Sequence, residues 1–262
     1  MNNHNNHIMC NIHTSFSSIN SRSAILITFL SMVSLLIKFN VATADNVTSV
    51  IKCIETEREA LFAFKQGLKD PSNRLSSWTS NDCCQWSGVQ CNKICRHVIK
   101  LDLRNLFPSS KSGTALIGQG ENIAYERSCL GGIPIPEFIG MLKNLRYLNL
   151  SSASFSGEIP PQLGNLSDLN HLDLYSEIYG LKTINLRWVS SLSSLHYLNM
   201  RGVKIDIEKD WLQKVNMLLS LVELHLPRCG LQSLPISLSF INFTLLSVLD
   251  ISINSFNSSI PH

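Results

Sequence analysis

A repeat of about 25 residues occupies the second half of the chain and constrains its fold more than any other feature. From the start of each copy, apolar residues recur at offsets 0, 3, 6 and 8. The alternation at 6 and 8 is typical of a short strand with two side chains on one face, whereas the 0 and 3 spacing suits a helical or 3₁₀ turn. Such a unit cannot bury its own apolar face, so the copies must stack into an α/β solenoid with a parallel sheet along one side. The five copies start at Leu142, Leu166, Leu192, Leu218 and Phe243.

Composition narrows the class of protein further. The 262 residues carry 22 Lys plus Arg against 19 Asp plus Glu, and this balance lacks the basic excess of a nucleic-acid-binding protein. The chain is 44% hydrophobic and 16% charged, which supplies a large core and excludes a disordered protein. Eight cysteines favour an oxidising compartment.

The N-terminus has the pattern of a secretory signal peptide. Ala24–Ile37 is an uncharged apolar run, preceded by Arg22 and followed by the small-x-small sequence of residues 42–44. A transmembrane anchor is the alternative, but crossing a bilayer takes about 20 apolar residues. We therefore expect a signal peptide over residues 1–44, a mature chain that starts at Asp45, and export without a later membrane span.

A short helix and a cysteine cluster precede the repeats. Thr56 and Glu59 have the spacing of a helix capping box, and the pair Asp70–Pro71 predicts the end of that helix. A solenoid needs such a cap, because its first turn would otherwise expose apolar surface. The apolar stripe of the helix consists of Ala60, Leu61, Phe64 and Leu68.

The repeats and the cap resemble those of plant extracellular leucine-rich-repeat proteins. The element Gly157-Glu-Ile-Pro160 is similar to the family's Gly-x-Ile-Pro, which adds a second short strand beside the first. The resemblance implies a cap over residues 45–97 and repeats over 98–262, incomplete at the C-terminus. It also implies two disulfides in the cap, Cys53–Cys83 and Cys84–Cys91.

The sequence departs from the family pattern in the repeats. The family places Asn or Cys three residues after the second strand leucine, and only two of five copies conform, so we expect less regular early turns. The segment from Tyr175 to Ser191 lacks the Gly-x-Ile-Pro element, which suggests a bulge on the rim. The five positions are Ala153, Glu177, Val203, Cys229 and Asn254.

Two places suggest that part of the family pattern is missing. The strands at Leu101 and Leu148 lie 47 residues apart, about two periods, and the resemblance implies the loss of one repeat near Gly132. The chain stops at His262, halfway through a repeat. We therefore expect it to be the N-terminal part of a longer protein.

The remaining cysteines leave several readings open. Cys91 and Cys95, beside a cysteine pair, could form a zinc cluster, but export and the adjacent Cys83–Cys84 argue against it. We expect Cys95 and Cys129 to pair across the long loop between them. Cys229 stands where the repeat accepts a buried cysteine, so we expect a free thiol.

No motif for catalysis, phosphate binding or a metallopeptidase is present, and no cofactor is expected. His171 and His225 fall at outward strand positions, where we expect solvated side chains rather than metal ligands. A rigid sheet with tyrosine, arginine and mixed polar groups suits recognition of a protein or peptide. The predicted concave binding face consists of Tyr147, His171, Asp173, Tyr175, Tyr197, Asn199, Arg201, Glu223 and His225.

Five sequons match the acceptor pattern for N-glycosylation. We expect Asn165 and Asn242, on the convex side, to be the most accessible. Asn149 points into the strand face and is the least favourable. The full set is Asn46, Asn149, Asn165, Asn242 and Asn257.

The chain resembles plant leucine-rich-repeat receptor-like proteins of the kind that perceive a fungal xylanase elicitor. That resemblance implies extracellular recognition in defence, a protein or peptide ligand of microbial origin, and a co-receptor kinase as partner. It implies the apoplast for the chain as given and the plasma membrane for a full-length type I protein. The alternative is a soluble protein similar to polygalacturonase inhibitors. An enzyme is the third hypothesis, and no sequence motif favours it.

Overall fold

The computed structural model describes residues 52–107, 119–131, 133–177, 180–206, 210–233 and 241–257. The predicted signal peptide, Asn46, Gly132 and the chain after 257 lie outside these residues. The chain divides into two compact units, and the only described residues of the first are 93–95. The rest belong to the second unit, which is the subject below. Within the described residues, no helix is both long and apolar enough to cross a bilayer.

The cap begins with helix α1, Glu55–Gly67. Its apolar stripe is buried at Leu61 and Phe64, as the sequence pattern predicts. The predicted capping box is wrong, because the N-cap residue is Ile54 and no side chain caps the helix. Glu57 in the first turn instead accepts a hydrogen bond from the backbone N–H of Val98, at 2.7 Å. This contact ties the cap helix to the first repeat strand.

Among the residues that the structure describes, the main sheet has seven strands, in the order β1-β2-β3-β5-β7-β9-β10. All neighbours are parallel except β1 and β2, which are antiparallel. The strands are β1 Val89–Cys91, β2 Val98–Asp102, β3 Tyr147–Asn149, β5 His171–Asp173, β7 Tyr197–Asn199, β9 Glu223–His225 and β10 Val248–Asp250.

The leucines of successive repeats form one continuous row across this sheet, which confirms the leucine-rich-repeat solenoid. Leu148 pairs with Leu172, and the register continues to Leu249 at the edge. Leu224 is fully buried between two rungs, whereas Leu249 on the edge strand is 52% exposed. Burial of each leucine therefore depends on the rung beside it.

A second sheet runs beside the first in the order β4-β6-β8. Its strands are β4 Gly157–Glu158, β6 Leu181–Thr183 and β8 Lys204–Ile205. The segment of residues 175–191, where the sequence suggests a bulge on the rim, contributes β6 to this sheet. The Gly157 and Ile159 N–H groups donate to the carbonyls of Gly180 and Lys182, at 2.7 and 2.8 Å. Backbone pairing sustains β6 without the Gly-x-Ile-Pro sequence.

The long interval before the third strand adds no rung. Leu101 of β2 pairs directly with Leu148 of β3. Within the described part of the intervening chain, Gln119–Ser128 forms helix α2. The strands β2 and β3 are therefore direct neighbours in the sheet, although Leu101 and Leu148 lie 47 residues apart in the sequence.

On the convex side, the residues that the structure describes form tight turns and one short helix. Three 3₁₀ turns span Glu137–Met141, Pro161–Asn165 and Val189–Ser191, and a short helix, α3, spans Trp211–Val215. A Cβ atom at Gly140 would lie 2.3 Å from the carbonyl oxygen of Gln162. Only glycine therefore allows the two turns to pack this closely.

The two consensus positions of the repeat behave as the family pattern implies. The Asn254 Oδ1 accepts hydrogen bonds from the backbone N–H groups of Cys229 and Leu231, at 2.9 and 3.1 Å. The nonconforming Ala153 and Val203 are buried in the core. The strand register is continuous across these early repeats, and the expected irregularity of their turns stays a prediction.

Candidate functional site

The candidate site is the concave face of the main sheet, where outward side chains of successive strands form columns. The structure describes all nine residues of the predicted binding face. Each of them is exposed or half-buried rather than buried. Because parallel strands lie about 4.8 Å apart, side chains at equivalent positions come close enough to stack.

Three rings of the first column stack face to face, and we call Tyr147, His171 and Tyr197 the aromatic ladder. The His171 ring lies 4.2 Å from both tyrosine rings, at interplanar angles of 6° and 7°. The Nζ of Lys100 lies 4.4 Å from the centre of the Tyr147 ring and covers that end. His225 lies 5.5 Å from Tyr197 and is tilted by 42°. The ladder therefore exposes ring edges rather than ring faces.

His171 is not the freely solvated side chain that its strand position predicts. Its Nε2 is buried and has no hydrogen-bond partner among the described residues. Burial lowers the pKa of His171, although the nearby Asp102 partly opposes this effect. The stacked imidazole is therefore favoured in its neutral form.

His225, by contrast, has an acidic neighbour. Its Nε2 lies 3.3 Å from Oε2 of Glu223 on the same strand. The two side chains end the ladder with a polar pair. Both belong to the predicted face, and the structure brings them together.

The second column consists of Asn149, Asp173 and Asn199, and its side chains hold the backbone that follows each strand. The sequence pattern did not indicate this structural role. The Oδ1 of Asp173 accepts a hydrogen bond from the Tyr175 N–H, and that of Asn199 accepts one from the Arg201 N–H, each at 3.0 Å. Asn149 repeats this contact two residues along its strand. Burial raises the pKa of Asp173, while the bond from Tyr175 opposes that shift. Asp and Asn at the ends of strands often bond the backbone two residues ahead, and this preference could have revealed the pattern.

The third column contains Tyr175 and Arg201, and it pairs a cation with an aromatic ring. The guanidinium of Arg201 lies 5.4 Å from the centre of the Tyr175 ring. Burial raises the pKa of Tyr175, so its hydroxyl stays protonated. Arg201 is exposed and remains accessible to a ligand.

A cavity of about 570 Å³ lies at the cap end of the concave face. Lys100, Asp102 and Arg104 line it together with residues of β1. The predicted face did not include these residues. Lys100 pairs in register with Tyr147, so extending the first column back by one strand would have found it.

Four cysteines of the cap form two disulfides, Cys53–Cys83 and Cys84–Cys91. These are the pairs that the family resemblance implies. Their four sulfur atoms lie within 4.8 Å of one another, which is the spacing of a metal cluster, but the two bridges use all four.

The expected Cys95–Cys129 disulfide is wrong, because Cys129 has a free thiol. Its Sγ lies 2.9 Å from Oγ of Ser154 and 3.3 Å from the carbonyl of Tyr125, so local groups already engage it. Cys229 is free and buried as expected, and burial raises the pKa of its thiol to about 12.

The sequons differ in accessibility. Asn149 is only 3% exposed, and its side chain bonds Ser151 and Tyr147. Asn165 and Asn257 are exposed, whereas Asn242 is half-buried. Use of the accessible sites stays a prediction.

Known proteins share the cap and the repeats. The family model described as "Leucine rich repeat N-terminal domain" matches residues 54–92, inside the predicted cap. Receptor-like protein EIX1 from Solanum lycopersicum is 38% identical over 229 residues, an alignment that covers 79% of this chain and 22% of that protein. The chain thus spans less than a quarter of the length of this relative.

Solved structures share the fold. The leucine-rich-repeat ectodomain of the receptor kinase SOBIR1 from Arabidopsis thaliana matches with a TM-score of 0.54 at 21% identity, and the match covers 79% of this chain and 96% of that one. The ectodomain of the receptor kinase GASSHO1/SCHENGEN3 from A. thaliana, solved in complex with CASPARIAN STRIP INTEGRITY FACTOR 2, matches with a TM-score of 0.54 at 25% identity over 79% of this chain and 25% of that one. Its cap, its repeats and its similarity to EIX1 together place this chain among the plant leucine-rich-repeat receptor-like proteins.

Proposed function

We propose that this chain is the ligand-recognition part of an extracellular receptor-like protein that acts in plant defence. The ligand is a protein or peptide of microbial origin, and the concave face contacts it. The observation that carries this proposal is the aromatic ladder, a rigid column of tyrosine and histidine on the open face of the sheet.

The physical argument for this face is its preorganisation. Tyrosine and arginine contribute large binding energies at interfaces, because they bury much surface and carry hydrogen-bonding groups. Ligand binding normally costs the freedom of interface side chains. The ladder rings are already ordered by stacking, so their ordering on binding costs little.

Family membership supports the other parts of the proposal. The chain is similar to Receptor-like protein EIX1, and an ectodomain of the same fold was solved with a bound factor. We propose secretion, an apoplastic location for this part, the plasma membrane for a full-length protein, and a co-receptor kinase as signalling partner. We propose no catalytic role, and glycans at Asn46, Asn165, Asn242 and Asn257.

Binding to a purified fungal xylanase tests the proposal. The full chain is secreted from a eukaryotic host, and its affinity is measured by surface plasmon resonance. Tyr147→Ala and Tyr197→Ala should each weaken binding at least tenfold, since they remove ladder rings. Phe62→Ala is the matched control, because Phe62 is an exposed aromatic residue of the cap helix.

Two results would contradict the proposal. If the ladder variants bind xylanase as tightly as the control, the concave face does not contact xylanase. If the chain does not bind xylanase but inhibits a polygalacturonase, the result would instead support the soluble-inhibitor alternative.

A further inference from the structure

We propose that the cavity at the cap end of the concave face binds an acidic group of the ligand, either a carboxylate or a sulfate or phosphate ester. The inference rests on the proposed function and deepens it, since it names the chemistry that this face recognises. The rest of the ligand would then extend along the aromatic ladder.

The cavity is built by the junction of cap and repeats. Strand β1 runs antiparallel to β2, and Val89 pairs with Leu101. Gly88 has a φ of 81°, and a Cβ atom there would lie 2.4 Å from the carbonyl oxygen of Asp102. Glycine thus lets the two backbones approach closely at one wall. At about 570 Å³, the space is within the ordinary size range of ligand sites.

The charges at the cavity leave a positive excess. Lys100 Nζ and Arg104 Nη2 both contact the same oxygen, Oδ2 of Asp102, at 3.4 and 2.9 Å. One carboxylate cannot neutralise two cations, so these three side chains together keep a net charge of about one positive unit. The Lys100 and Arg104 side chains are 36% and 44% exposed, whereas Asp102 is 13% exposed. Asp102 therefore holds two accessible cations side by side.

The third cation that lines the cavity, Arg74, already donates its hydrogen bonds to backbone carbonyls. The guanidinium of Arg74 donates to the carbonyls of Ser128, Leu103 and Arg104. We therefore assign the anion contacts to Lys100 and Arg104. An arginine fork binds carboxylate, sulfate and phosphate oxygens in the same way, so the three share one recognition chemistry.

The cavity and the ladder form one continuous surface. Lys100 lines the cavity and also covers the outer face of the Tyr147 ring. A ligand with its acidic group at Lys100 therefore meets the ladder next. Because stacking hides the ring faces, the ladder offers it ring edges and hydroxyl groups, which suit a polar chain rather than a stacked ring.

Anion titration of the full chain tests this inference. Acetate, sulfate and phosphate are added separately at constant ionic strength, and binding is followed by the amide chemical shifts of Gly88 and Gln90. The double variant Lys100→Gln/Arg104→Gln should raise the dissociation constant at least tenfold. Lys182→Gln is the control, because Lys182 is exposed on the second sheet and should leave the constant unchanged.

A variant that binds anions more tightly gives a second test, because misfolding could explain a loss of affinity but not a gain. Asp102→Asn removes the carboxylate that competes for both cations, and we expect it to tighten anion binding at least threefold. The three anions are then compared with one another. If acetate has the lowest dissociation constant, the ligand carries a carboxylate, and if sulfate or phosphate has the lowest, the ligand carries an ester.

The absence of saturable shifts at Gly88 and Gln90, or equal shifts in the double variant, would overturn the inference. Because the titration uses no protein ligand, its failure would leave a xylanase result intact. Conversely, saturable anion binding without any xylanase binding would refute the proposed ligand but retain this site.

Discussion

Arg74 provides the sharpest test of how the cap holds the insertion that contains α2. Its guanidinium donates to the carbonyl of Ser128 at the end of α2, at 2.6 Å, and to those of Leu103 and Arg104 after β2, at 3.2 and 2.6 Å. One side chain thus joins three segments. Arg74→Met keeps an apolar stem of similar length but removes every donor.

The expected magnitude follows from the bond that opposes detachment of α2. A hydrogen bond from a charged group contributes about 1.5–3 kcal/mol, and only the bond to Ser128 reaches the helix. The bonds to Leu103 and Arg104 hold the guanidinium in place. We therefore expect local opening of α2 to become easier by about 1.5–3 kcal/mol, which corresponds to roughly 10- to 150-fold more opening.

The free thiol of Cys129 reports this opening directly. It follows α2, is half-buried and contacts Tyr125 and Ser154, so we expect alkylation to accelerate when these contacts loosen. Labelling with iodoacetamide is quantified for each cysteine by peptide mass spectrometry, under conditions where closing is faster than labelling. Buried Cys229, with its raised pKa, is the internal reference.

The outcome separates local from global effects. Arg74→Met should accelerate labelling of Cys129 and leave Cys229 unchanged. Arg127→Met is the matched control, because Arg127 is an exposed arginine of α2 itself. Unchanged labelling of Cys129 would refute the role of the guanidinium, and equal acceleration at Cys229 would show that the whole fold had been weakened.

Three further predictions concern stability. Leu198→Ala removes a fully buried rung and should cost about 2.7–5.0 kcal/mol in urea unfolding, whereas Leu249→Ala, at the exposed edge, should cost less than about 1 kcal/mol. Because the pKa of His171 lies below 6.5 in the folded state, the unfolded chain binds more protons as the pH falls, so stability should drop below pH 6.5. His171→Phe should flatten that drop in thermal unfolding, and an unchanged slope would assign it to other groups. Loss of the Cys53–Cys83 bridge should cost about 3.6 kcal/mol and loss of Cys84–Cys91 about 2.4 kcal/mol, since the first closes the longer loop; the reverse order in denaturant midpoints would contradict this model.

The repeat pattern allowed most of the solenoid to be predicted. Apolar residues at offsets 6 and 8 must face inward in any strand, so the row from Leu148 to Leu249 and the outward columns follow from the same alternation. These relations are local, and each copy repeats them. The second sheet at β6 was not predictable in this way, because its backbone pairing does not require the Gly-x-Ile-Pro residues.

The parts that sequence reasoning missed depend on contacts between distant segments. Helix α2 is placed by Arg74 and by Asn105, whose Nδ2 donates to the carbonyl of Tyr125. The same placement puts the free thiol of Cys129 beside Ser154, a contact between distant segments that the sequence does not indicate. The basic cavity requires the antiparallel pairing of β1 with β2, which no repeat period indicates.

The aromatic ladder has a consequence for how its specificity can change. Because His171 lies between two tyrosine rings, replacing either tyrosine alters the environment of its neighbour as well as its own contact with a ligand. The effects of substitutions in this column should therefore not add. New specificity on this surface is then reached by changing several rungs together, and single exchanges mainly weaken what is already there.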